Sequence, residues 1–145
     1  MIQNPKELWV SRVALLWAGI VIGCSFIATP AKFKAPSLSL LTALEIGRVT
    51  FRTTMLVELA LIIIGVELLV RLRRLRSLFW WAMVIFVVQW LGVMPLLNTQ
   101  TDLAVKGSLL HGPPWHLVYI FLEVVKVLLL LSVAFRTKET KHGSD

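Results

Sequence analysis

The sequence predicts an all-α polytopic membrane protein, with four transmembrane helices packed as one bundle. Three observations lead there. Hydrophobic residues make up 57% of the 145 positions against 16% charged, with a mean hydropathy of +0.80, which leaves too few charges to cover a soluble surface of this size. Four separate apolar runs each reach about 20 residues, the helical length that crosses a hydrocarbon core of about 30 Å. The basic residues gather at the ends of those runs. The chain therefore reads as a single domain over 1–145, with spans at about 8–29, 50–70, 78–97 and 114–135, an interfacial segment at 30–49 and a basic turn at 71–77.

A net charge of +7 and a pI near 10.2 raise nucleic acid as a partner, and the placement of the charges argues against it. With four spans, both termini and the 71–77 turn share one side. That side holds nine basic residues: Lys6, Arg12, Arg71, Arg73, Arg74, Arg76, Arg136, Lys138 and Lys141. The other side holds three, Lys32, Lys34 and Lys106, or five with Arg48 and Arg52 at the mouth of the second span. The positive-inside rule then puts both termini and the Arg-rich turn in the cytoplasm. The expected location is the cell inner membrane and the expected partner is the lipid bilayer, with no nucleic acid.

The first span carries small residues at Ala14, Ala18, Gly19 and Gly23, spaced as small-x-x-x-small pairs that let backbones approach closely. It reads as a packing helix, against its own bundle or a second copy. Val21-Ile22-Gly23-Cys24 matches the loose pattern of a lipoprotein cleavage site, but the apolar run continues through Phe26-Ile27-Ala28, too long for a signal core. Cys24 is the only cysteine; with no second thiol in the chain it reads as an inert packing residue.

Two prolines, Pro30 and Pro36, bracket a basic amphipathic stretch that leaves the first helix, and Ser37 or Ser39 is placed to cap the second helix. From Ser39 to Val70 the chain is longer than one span needs, so its early part projects above the apolar layer or tilts. Glu45, Arg48 and Arg52 stand three and four apart and share a face, as an interfacial ion-pair set. Deeper, Glu58 and Glu67 fall among apolar residues, where an unpaired carboxylate costs a few kcal/mol or more.

The third span has Trp80, Trp81 and Trp90 as interfacial anchors, Gln89 as its one strongly polar residue and Pro95 at its outer end. The loop from Asn98 to Gly112 is polar enough to stay in water. In the fourth span His116, Tyr119, Glu123 and Lys126 are separated by three, four and three residues, which sets them within about 80° of one another on a helix. The rest of that helix is apolar, so the stripe faces the bundle interior or a partner subunit. Depth matching of the antiparallel helices puts Glu58 near His116 to Tyr119, Glu67 at or below Lys126, and Gln89 between.

Glu58, Glu67, Gln89, His116, Tyr119, Glu123 and Lys126 thus form a predicted buried polar seam. Three functions fit it: a hydrogen-bond network that sets helix register, a relay for protons or ions, and an enzyme or metal site built on His111, His116 and Glu58, ligand types suited to Zn²⁺ or Fe. No His lies on another helix and no phosphate-cradling Gly-rich loop, nucleophile turn or His-Glu-x-x-His helix occurs, so no cofactor is predicted and a subunit role is favoured over an enzyme. One bundle of four helices is narrow, which points to a homo-oligomer or a larger membrane complex. Thr29-Pro30-Ala31-Lys32-Phe33 followed by Ala35-Pro36-Ser37, Gly47-Arg48, and the His116, Tyr119, Glu123, Lys126 helix resemble a group of small bacterial four-helix integral membrane proteins with no assigned function. The resemblance implies a bacterial inner-membrane location and no particular substrate.

Overall fold

The computed structural model describes residues 5–69, 73–106 and 115–139. They form α1 (Pro5–Val21), a π-helical segment (Ile22–Ala28), α2 (Thr29–Lys32), α3 (Leu40–Leu69), α4 (Arg73–Val88), a second π-helical segment (Gln89–Val93), α5 (Met94–Val105) and α6 (Trp115–Glu139). The pieces join into four continuous helical stretches, Glu7–Lys32, Leu40–Leu69, Ser77–Ala104 and Trp115–Arg136, each long and apolar enough to cross a membrane. The chain is a multi-pass, all-α membrane protein. Its largest apolar side chains split into two sets: Leu16, Ile63, Leu91, Phe121 and Leu128 face outward, while Trp17, Phe79, Phe86 and Leu130 fill the interior.

α6 packs against both α1 and α4, and α1 against α3. The Ser11 hydroxyl donates to the carbonyl of Ala134 at 3.0 Å, which ties the start of α1 to the end of α6. This end of the bundle is the terminal end, and the opposite one the far end. Near the terminal end the core is apolar, with Val10, Val13, Phe79, Leu130 and Val133 buried and Trp17 edge-on to Phe79 at 5.5 Å. α4 approaches α3 where Gly65 leaves room: a Cβ there would run into the Phe79 ring.

The helices run longer than expected. Pro30 does not end the first helix and Pro95 does not end the third; α5 continues to Val105, through much of the predicted 98–112 loop. Both prolines sit two residues beyond a π-helical segment. A helical proline lacks an N–H and crowds the carbonyl four residues back, and widening the preceding turn to i→i+5 bonding lets the helix continue. In the first of these, the Thr29 amide and the Thr29 hydroxyl both donate to the Cys24 carbonyl, the hydroxyl at 2.8 Å, which fastens the widened turn. α3 begins at Leu40, so the expected interfacial segment gives its second half to the helix. Ser39 is the residue that caps it, its hydroxyl accepting from the Thr42 amide at 3.1 Å. At 30 residues α3 is about 45 Å long, well beyond a hydrocarbon core of about 30 Å. The basic turn is shorter than 71–77, since α4 has begun by Arg73; Arg71 lies outside the described residues.

Candidate functional site

Four polar side chains meet in the middle of the bundle. The Lys126 ammonium on α6 donates to Glu58 Oε2 on α3 at 2.6 Å, to Gln89 Oε1 at the start of the second π-helical segment at 2.9 Å, and to Glu123 Oε1 one turn above it at 3.3 Å. Glu58 Oε2 also accepts from the Trp17 indole N–H on α1 at 2.7 Å. Every helical stretch therefore contributes to one cluster. Glu58, Gln89 and Glu123 are 0% exposed and Lys126 1%, which is tolerable in an apolar layer only because charge meets charge and donors meet acceptors.

The satisfaction is uneven. All three ammonium protons have an acceptor, whereas Glu58 Oε1 and Glu123 Oε2 receive no hydrogen bond; the latter is 3.3 Å from the Lys126 nitrogen without hydrogen-bonding geometry. One cation faces two carboxylates. The Gln89 amide donates its N–H to the Tyr119 carbonyl at 3.4 Å, so it fixes α6 against the third helix and brings no charge. The Phe86 ring centroid lies 5.9 Å from the Lys126 nitrogen, a weak additional attraction.

Above the cluster, toward the far end, a cavity of about 250 Å³ opens between the first π-helical segment, α3 and α6. Glu123 and Tyr119 line its depth with Ser25, Phe26 and Phe51, and the exposed Ile120 and His116 line it nearer the surface. The Ser25 hydroxyl, buried here by the Tyr119 hydroxyl, has no hydrogen bond of good geometry. The wider turn of the π-helical segment presents Ser25 and Phe26 to this space, and Thr29 at the start of α2 joins them. A smaller cavity of about 70 Å³ adjoins it, lined by Lys32, Arg48 and His116 among others. The Lys32 nitrogen stands 5.1 and 5.6 Å from the Phe33 and Phe51 ring centroids, and its side chain lies in the room left by Gly47.

The structure brings Glu58, Gln89, Glu123 and Lys126 together and sets Tyr119 beside them, buried and edge-on to Phe51 at 5.1 Å. Of the remaining members of the predicted seam, Glu67 lies elsewhere and His116 stands at the mouth of the cavity. Glu67 is exposed: nine residues from Glu58, it points about 180° away at 100° per residue, two residues from the end of α3, where a carboxylate reaches the headgroup layer. His116 is exposed as well. Depth matching also places Glu58 too far toward His116. It pairs with Lys126, ten residues and about 15 Å of helix below His116.

Glu58 Oε2 is engaged by Lys126 and Trp17, and not by His116 as the metal alternative expects. His111 lies outside the described residues, and among those described no three His, Cys, Asp or Glu side chains gather to hold a metal. The interfacial set is rearranged too: Arg48 pairs with Asp102 on α5 at 2.6 Å, and neither Arg48 nor Arg52 is bridged to Glu45, which is exposed. The partner is Asp102 because the third helix continues past Pro95 and carries it alongside α3. Trp17 is the cluster member that sequence reasoning misses; an indole N–H deep in an apolar span needs an acceptor, and that is the available signal. No protein-family model, curated protein or solved structure matches the chain.

Proposed function

We propose that this chain is a small inner-membrane subunit, with both termini cytoplasmic, working within an oligomer or larger membrane complex, whose buried cluster takes up one proton and relays it. The observation that carries the reading is charge balance: Glu58 and Glu123 share a single lysine at the bundle centre, and the surplus negative charge is expensive in an apolar layer. One proton neutralises it. The cavity that Glu123 lines gives the proton a way in from the far end, and Tyr119 and His116 line the same route. The test is infrared spectroscopy of the purified full-length protein in lipid. The expected result is a carboxylic acid C=O stretch that shifts in D₂O and disappears in Glu123→Gln; a spectrum with no such band would remove the proton site.

A second reading, a register clamp, is favoured by the full satisfaction of the Lys126 ammonium. It predicts that Glu123→Gln changes stability but not the rate of pH equilibration across proteoliposomes. The relay reading predicts that this rate falls to the level of protein-free vesicles.

A further inference from the structure

We propose that the 250 Å³ cavity above the cluster is a binding site for a small organic ammonium ion carrying an apolar group, its charge set against Glu123. The proposal rests on the reading of the cluster as short of one positive charge. Glu123 is fully buried, lines this cavity beside the Tyr119 hydroxyl, and keeps one carboxylate oxygen without a hydrogen bond of good geometry. The Ser25 hydroxyl, by the Tyr119 hydroxyl, lines the same cavity and is an acceptor type for a second N–H of a primary ammonium. Phe26, Phe51 and Ile120 supply the walls, and aromatic rings attract cations as well as apolar groups. The chain itself shows this attraction: the Lys32 ammonium rests by the rings of Phe33 and Phe51 at the neighbouring cavity.

Other ligand classes fit less well. An anion meets the Glu123 carboxylate, a neutral apolar molecule leaves its charge uncompensated, and a hydrated metal ion makes no use of the apolar walls. The volume equals roughly eight water molecules at about 30 Å³ each, room for a one-ring amine such as phenethylamine. Proton and amine would then be alternative occupants of the same carboxylate, and a site that exchanges them has the requirement for coupling their movements.

The experiment is calorimetric titration of the full-length protein in detergent with phenethylamine, with 2-phenylethanol as its neutral match. Saturable binding of the amine is expected, weaker by about tenfold or more for the alcohol and in Glu123→Gln, the scale of losing a charge-assisted hydrogen bond. Ile120→Trp, on the exposed side of α6, fills the cavity without touching the cluster and should block binding even if Glu123→Gln folds poorly. Glu67→Gln, which alters an exposed carboxylate, should bind as the parent does. Absence of saturable binding, equal binding of the alcohol, or undiminished binding in Ile120→Trp would overturn the proposal. The infrared band is measured without amine, so a band with no amine binding removes the ligand alone, and binding with no band removes the proton alone.

Discussion

Lys126 is the residue on which the interior depends. It compensates two carboxylates at once, and deleting one partner of a buried pair leaves an uncompensated charge, at a cost of about 3–5 kcal/mol. Lys126→Met should therefore lower the melting temperature in detergent sharply. Adding Glu58→Gln and Glu123→Gln to it should recover most of the loss, because the cluster is then neutral. An undiminished melting temperature in Lys126→Met alone would show that the charges are not coupled. Of the two glutamates, Glu58 holds both the indole of Trp17 and the ammonium at under 3 Å, so Glu58→Gln should cost more stability than Glu123→Gln; the reverse order would mean that the longer contact is the stronger. The spacing of Tyr119, Glu123 and Lys126 made one wall of the site legible, since a helix repeats about every 3.6 residues. The partner across the gap was harder to read: Glu58 and Glu67 look alike in composition, and only their half-turn difference in facing separates them.

At the scale of the element, the same helical arithmetic sorts the glycines. Gly65 lets the Phe79 ring close onto α3, and that ring is held by Trp17 behind it. Gly65→Ala should thus destabilise the fold by about 1–3 kcal/mol, the usual cost of overpacking, read as a lower unfolding midpoint. Gly19 and Gly23 have nothing within 4 Å of a Cβ. Leucine at either position should leave the chain's own melting temperature unchanged, and a fall would show that these faces pack within the bundle after all. The four spans were legible because apolar length is a strong signal, but their ends were not. A proline reads as a stop, and whether a π-helical turn absorbs it depends on neighbours such as Thr29, which donates back to Cys24.

For the whole molecule, the charge asymmetry between the two ends makes a prediction about sidedness. A phosphatase that works only outside the cytoplasm should be silent when fused after Asp145 and active when inserted after Lys106, past the end of α5; the opposite pattern would invert the molecule in the membrane. Its architecture was readable from the sequence as a count of spans, whereas the lopsided interior was not, because it arises from which side chains meet. The cavity reaches Glu123 from the far end, while Trp17, Phe79, Leu130 and Val133 close the core toward the terminal end. A membrane voltage falls mostly across the dry, poorly polarisable part of a protein. A charge arriving at Glu123 through the open mouth therefore crosses little of that drop, and its binding should scarcely depend on voltage. Carrying the same charge onward past Phe79 would cross nearly all of it, about 2.3 kcal/mol per 100 mV, so the closed half of the bundle is where the electrical work of any transfer has to be done.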